Sequence, residues 1–231
     1  MSKILLLFFL FLNIQVSAAI SQQNKENSTE IRLPAVQLPS SKPLVKTIQQ
    51  RHSWRRFKNI PLKEDQISLI LWAAAGKRID ALTAATRTIP SAGATYPLEV
   101  FLLVGRQGVS GLNPGLYQYI VDNHSLISVS NEDLRQELAN SCLGQDFIKE
   151  APVSLIIAAV YNRTTSRYQE RGVRYVHIEV GHSCQNIYLI AQDLGLATVE
   201  VGAFDDQRLK NLLKLRKEVE PLIIMPIGYP D

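Results

Sequence analysis

Apolar residues recur at helical spacing at Ile67, Ile70, Leu71 and Ala74, with Glu64 and Asp65 in the first turn and Gly76 as the stop, which predicts a helix over 64–76. The pattern then changes period. Leu98–Val104 is a largely apolar run rich in branched and aromatic residues and predicts a strand, while Leu116–Ile120 and Ser125–Val129 predict shorter strands around Asp122-Asn123, a hairpin signal. Val153–Val160, after Pro152, and Leu222–Met225, between Pro221 and Pro226, are nearly unbroken apolar runs of the kind that suit strands buried on both faces. Between them the longest predicted helix runs from about Tyr175 to Leu194 and closes at Gly195. Val180, Cys184, Ile187, Tyr188 and Ala191 mark one of its faces, and His182, Gln185, Asn186 and Leu189 line another, so the helix is expected to be covered on both. Helices and strands mix without strict alternation. The predicted class is α+β, a mixed β-sheet flanked by helices.

The N-terminus follows a different logic. Lys3, the nine apolar residues Ile4–Leu12, and Val16-Ser17-Ala18 are the three parts of a secretory signal peptide, and the apolar run is too short to span a bilayer. Residues 1–18 are therefore expected to be a signal peptide cleaved after Ala18 or Ala19, with the mature chain exported to a periplasmic or extracellular space and without a membrane span. Residues 19–45, polar and punctuated by Pro34, Pro39 and Pro43, read as an extended linker, and 46–231 as one domain large enough for a substantial core.

The formal charge of +4 becomes +3 once Lys3 is removed, too weak a surplus to argue for nucleic acid. The basic residues cluster instead. Arg51-His52-Ser53-Trp54-Arg55-Arg56-Phe57 packs three guanidinium groups, an imidazole and a hydroxyl into seven residues, and Arg163, Arg167, Arg171 and Arg174 form a second group. Guanidinium groups bond phosphate oxygens in pairs and a hydroxyl adds a neutral donor, so the first cluster has the chemistry of a phosphate site; the bland alternative is a solvated basic turn. Cys142 and Cys184 are the only thiols: export permits a disulfide, and the apolar helical pattern around Cys184 suits a buried free thiol equally well. No Cys/His spacing resembles a metal site, and none is expected.

Several segments, taken in order, then match one pattern. Arg51-x-Ser53-x-Arg55 with Phe57 and Pro61-Leu62 resembles the opening of the FMN-dependent nitroreductase family. Pro90-Ser91-Ala92-Gly93-Ala94-Thr95-Tyr96-Pro97-Leu98-Glu99 resembles its SagB-type dehydrogenase branch, as do Gly115-Leu116-Tyr117-Gln118-Tyr119, Arg171-Gly172-Val173-Arg174-Tyr175, Glu179-x-Gly181-His182, Gln185-Asn186, Val201-Gly202-Ala203-Phe204 and Ile227-Gly228-Tyr229-Pro230. The resemblance runs from about residue 46 onward.

It implies an obligate homodimer with FMN bound at the subunit interface, Arg51, Ser53 and Arg55 on the phosphate with His52 near it, and Pro90, Ser91 and Gly93 approaching the isoalloxazine ring. Gly202 would pass a backbone N–H near the reactive flavin nitrogen. Arg167 and Tyr168 would face the substrate side as the catalytic pair. Two departures bear on the chemistry: many members carry a Lys or Arg after the final Gly-Tyr-Pro where this sequence has Asp231, so the phosphate is expected to rely on the first cluster; and dehydrogenases that oxidise peptide azolines carry Lys-Tyr where this chain has Arg167-Tyr168. A buried Lys can act as a base and an Arg effectively cannot. The expected activity is that of an FMN-dependent oxidoreductase working between a small-molecule donor such as NAD(P)H and a small conjugated or nitro-bearing acceptor. Peptide azoline oxidation, or flavin binding without catalysis, are the alternatives.

Overall fold

The structure, a computed structural model, describes residues 30–37, 43–80 and 84–231; the expected signal peptide lies outside the described residues. A sheet with strand order β1-β7-β6-β5-β8-β10-β2 organises the chain, with β9 pairing β10 at one side. The strands are β1 (Glu30–Arg32), β2 (Phe57–Lys58), β5 (Leu98–Val104), β6 (Gly115–Ile120), β7 (Ser125–Ser130), β8 (Val153–Ala159), β9 (Ala197–Thr198) and β10 (Glu220–Pro230); β3 (Lys77–Asp80) and β4 (Ala84–Arg87) form a separate hairpin. The pairings of β6, β5, β8, β10 and β2 are antiparallel, and an isolated bridge between Leu62 and Val109 is parallel.

Seven helices complete the described chain: α1 (Leu44–Gln50), α2 (Glu64–Ala75), α3 (Arg135–Ser141), α4 (Phe147–Glu150), α5 (Asn162–Tyr168), α6 (Glu170–Asp193) and α7 (Asp206–Leu212). The period-two alternation of β5 explains their placement. Val100, Leu102 and Val104 face a core shared with Ile67, Ile70 and Leu71 of α2 and Val180, Cys184 and Ile187 of α6. Phe101 and Leu103 face a second core with Leu138 of α3, Ile148 of α4 and Leu209 of α7. The expected α+β architecture, helices packed on a sheet, is what forms. Each fully buried Leu or Ile in these layers contributes roughly 1.5–3 kcal/mol.

The two thiols are both free and buried, one in each core and hence on opposite faces of the sheet, which rules out a bond between them. Burial pushes the Cys142 thiol up to about 12 and the Cys184 thiol up as well.

Several elements differ from the sequence expectation. The run 222–225 is the middle of an eleven-residue strand, because Pro221 sits beside a register shift and Pro226 opposite Ser154 without ending the ladder. The long helix begins at Glu170, five residues before Tyr175, and is separated from α5 by Gln169 at φ 52°. Its second face is only partly covered: Asn186 and Leu189 are half-buried, whereas His182 and Gln185 are exposed. Within the stretch read as linker, Glu30–Arg32 forms β1. The segment after it is fastened by Leu33 N–H donating to the His124 carbonyl at 3.1 Å and the Ser68 hydroxyl donating to the Pro34 carbonyl at 2.7 Å. His124 bridges Ser68 and Tyr119 at 2.8 Å each, and its burial lowers its proton affinity. Among the described residues no helix is long and apolar enough to cross a membrane.

Candidate active site

Arg51 ends α1, its N–H donating to the Thr47 carbonyl at 3.0 Å, and the extended backbone that follows carries the basic cluster to β2. The Arg51 guanidinium lies 5.0 Å from the centroid of the Tyr188 ring, and Ser53 Oγ is 2.9 Å from the Tyr188 hydroxyl. That same hydroxyl accepts the Glu200 N–H at 2.9 Å, and the Trp54 N–H donates to the Thr198 carbonyl at 3.0 Å. The 51–54 segment is thereby tied to α6 and to the stretch leading to Gly202. His52 donates to the Gln50 carbonyl at 2.8 Å and stacks against Trp54, away from Ser53's partner. Arg55 is exposed, and none of Arg51, Arg55 and Arg56 makes an ion pair among the described residues. Gly202 is exposed too; a Cβ there would meet only Ile223 Cδ1, at an ordinary 3.7 Å, so the chain's own packing leaves this backbone open to a ligand.

Pro90, Ser91 and Gly93 lie in a loop whose backbone is strained. Gly93, Ala94 and Tyr96 have φ of 58°, 53° and 45°, and left-handed non-glycine residues cost on the order of 1 kcal/mol or more each. Such strain gathers at working sites. A Cβ on Gly93 would fall 2.5 Å from the Tyr168 hydroxyl and 2.8 Å from Arg167 Nη1, and Arg167 Nη1 donates to the Gly93 carbonyl at 3.3 Å. The structure thus brings Gly93, Arg167 and Tyr168 together. Arg167 also lies 5.4 Å from the Tyr168 ring centroid and makes no ion pair among the described residues, neither with Glu170 nor with Glu179. Tyr168 in turn meets Tyr175 edge to face, which fixes its ring. The two helices bearing these residues approach closely at Gly172, where a Cβ would clash with the Thr165 backbone at 2.8 Å.

Under the same loop stands Glu179, a residue not among those expected to form the site. It is 3% exposed, and its carboxyl takes hydrogen bonds from the Ser91 hydroxyl and the Ala92 N–H. Burial raises it from its ordinary 4.5 to about 7, outweighing the opposing pull of those two bonds. The sequence did hold a signal: Glu179 lies at helical spacing with Val176, Val180 and Ser183, a charged residue on the buried stripe of α6. Tyr188, which reads as one more apolar-face residue, is the hub of the first cluster through its hydroxyl.

The basic group around Arg163 divides. Arg163 pairs with Glu99 at 2.6 Å, while Arg171 and Arg174 line an open groove of about 930 Å³ together with Tyr168, Val173 and His177. Asn186 donates to the Ala73 carbonyl at 3.1 Å and so serves helix packing.

Both clusters are held by α6, one at Tyr188 and the other at Glu179. At 1.5 Å of rise per residue these anchors are about 14 Å apart along the helix axis.

Residues 48–229 match the profile of the Nitroreductase family. A Methanocaldococcus jannaschii protein assigned by name to the nitroreductases is 44% identical over 202 residues, covering 87% of this chain and 97% of the relative. A trifolitoxin-processing protein of Rhizobium leguminosarum bv. trifolii is 30% identical over 168 residues, 69% of this chain and 45% of the relative, so this chain spans about half its length. A crystal structure from Ralstonia eutropha, likewise assigned by name to the nitroreductases, superposes with a TM-score of 0.74 at 29% identity, over 87% of this chain and 90% of that one.

Proposed function

The chain belongs to the nitroreductase family, and we propose that it is an FMN-dependent oxidoreductase passing electrons between a donor such as NAD(P)H and a small conjugated or nitro-bearing acceptor. The observation that carries the cofactor is the donor set at 51–56: three guanidinium groups without carboxylate partners among the described residues, beside the Ser53 hydroxyl. Each charge-assisted bond from such groups to a phosphate is worth about 1.5–3 kcal/mol when shielded from bulk water. That chemistry fits a phosphate monoester, and the sequence has no Gly-x-Gly-x-x-Gly loop for a dinucleotide.

Bound there, FMN would supply the redox chemistry, while the protein binds, orients and tunes it. Arg51, Ser53 and Arg55 hold the phosphate. The Pro90–Gly93 loop and the open backbone at Gly202 give flat surface for a ring. Arg167 keeps a fixed positive charge on the Gly93 carbonyl, and Tyr168, wedged against Gly93, presents a hydroxyl able to deliver a proton.

A homodimer belongs to this reading. The phosphate cluster and the ring loop face different stretches of α6, and α1 leaves Leu44, Val45 and Ile48 exposed at 63%, 79% and 53%. Two copies that cover this apolar face would let the phosphate cluster of one serve the ring loop of its partner.

The similarity to a toxin-processing protein supports a second reading, oxidation of a peptide-borne azoline, against which Arg167 counts because it cannot take a proton. Absorption spectroscopy decides. Visible flavin absorption bleached by NAD(P)H and restored by a nitroaromatic supports the reductase; bleaching by an azoline peptide alone supports the second reading; a flavin that neither bleaches indicates binding without catalysis, and colourless protein that takes up no added FMN overturns the proposal.

A further inference from the structure

Ser91 is held from two sides. Its Oγ accepts the Tyr96 N–H at 2.9 Å, and its hydrogen is committed to the Glu179 carboxylate, which also accepts the Ala92 N–H. A hydroxyl has one hydrogen and two lone pairs, so in this state Ser91 has one lone pair left and no hydrogen to offer a ligand. Glu179 lies at the base of a cavity of about 170 Å³ between α6, β5 and β6. The charged and titratable groups around that cavity are Arg87, Tyr96, Glu99, Tyr119, Asp122 and Arg163. Arg87 is taken up by the Tyr96 ring at 5.1 Å, and Arg163 by Glu99. On α6 itself Tyr175 and the exposed His182 lie one turn away on either side. Glu179 has no ion pair among the described residues to fix it in the charged state.

We propose that Glu179 and Ser91 form a hydroxyl switch: when Glu179 carries a proton, its O–H donates to Ser91 Oγ and the Ser91 hydrogen turns outward as a donor to a carbonyl oxygen of a planar heteroaromatic ligand on the 90–93 loop. The inference rests on the reading of that loop as facing the flavin ring. The bookkeeping is closed. Glu179 takes one proton from solvent, the Ser91 hydrogen keeps its bond to Oγ, and no bond of the ligand changes. Ser91 Oγ then accepts from both Tyr96 N–H and Glu179 O–H, and Ala92 N–H keeps the other carboxyl oxygen. Because burial holds this carboxyl near neutrality, the switch operates within the ordinary working range of pH. Glu179 is a positioning residue in this scheme; it touches the ligand only through Ser91.

The test measures flavin dissociation constants by fluorescence from pH 5.5 to 8.5 for wild type, Glu179→Gln and Ser91→Ala, with FMN and with riboflavin, which lacks the titrating phosphate. The Glu179 carboxyl is followed in parallel by carbon NMR of Glu-labelled protein, its signal assigned by its loss in Glu179→Gln. Relative to Glu179→Gln, wild type is expected to lose about fivefold in affinity from low to high pH, the size of one neutral hydrogen bond, with a midpoint matching the carboxyl titration. Glu179→Gln should bind tightly at every pH, since its amide N–H donates permanently to Ser91 Oγ. In Ser91→Ala the carboxyl should still titrate while the pH dependence of binding vanishes. Flavin binding whose pH dependence survives in Ser91→Ala, or a carboxyl that stays ionised throughout the range, overturns the switch and leaves the flavin reading standing. Failure of wild type to bind either flavin overturns that reading and the switch with it.

Discussion

Replacing Glu179 by Gln should stabilise the protein at alkaline pH. The carboxyl is 3% exposed and titrates at about 7, against an ordinary value of 4.5. The folded state therefore prefers the proton more than the unfolded chain does. Its favourable contribution is complete below pH 4.5 and is lost as pH rises through 7, where folding has to keep an ionised carboxylate in a buried place. The whole gap corresponds to about 3 kcal/mol. Gln preserves the shape, accepts the Ala92 N–H and can donate to Ser91, but carries no charge to bury. The stability difference between Glu179→Gln and wild type is expected to move in favour of the variant by about 2–3 kcal/mol between pH 5 and pH 8, whatever offset the substitution introduces. Urea unfolding followed by tryptophan fluorescence, at one protein concentration and without flavin, reads it; a urea slope of about 2–3 kcal/mol/M makes the shift about 1 M in midpoint. Parallel pH profiles for the two proteins would refute the reasoning, because every other titrating group is common to both.

The double variant Arg51→Ala/Arg55→Ala should lose FMN affinity by about a hundredfold or more, as the removal of two charge-assisted bonds requires, measured by equilibrium dialysis; retention of wild-type affinity would move the phosphate elsewhere. Arg167→Lys should leave nitroaromatic reduction within a few-fold and improve any azoline oxidation, and wild-type azoline turnover that the Lys variant does not improve would deprive Arg167 of mechanistic meaning. Val45→Glu/Ile48→Glu should yield monomers that no longer hold flavin, and light scattering of a stable yellow monomer would contradict the two-chain site. Material from the native host should begin at Ala19 or Ile20 by N-terminal sequencing, and an intact Met1 would remove the expectation of export.

How far the sequence speaks depends on which force shapes each element. β5 runs over the very residues its branched, aromatic pattern predicts, and β8 ends one residue short, because strands buried on both faces are written directly in apolar runs. α5 was not legible: Asn162–Tyr168 has no apolar stripe, and it is helical because Thr164 is buried and Gly172 lets α6 press against it. The hairpin of β3 and β4 also escaped, being short and polar. Motifs placed the Arg51–Arg55 cluster and the 90–93 loop on the chain, but not their anchors. Nothing in the letters says that the Tyr188 hydroxyl holds Ser53, or that Glu179 is stripped of water, since both follow from which face of α6 the rest of the chain happens to cover.

The basic cluster owes its footing to a strand that comes very late. Phe57 and Lys58 pair with Pro230 and Tyr229, about 170 residues onward, and the Asp231 N–H donates to the Arg56 carbonyl. Closing so long a loop is slow, and contacts this distant in sequence form after local ones. A chain synthesised, or threaded through a membrane pore, from its N-terminus hands over Arg51–Arg56 early, yet gives them no platform until β10 arrives. Half-made copies would carry their positive charges on a loose strand with nothing to bind, so the capacity to capture an anionic ligand becomes a late checkpoint of folding.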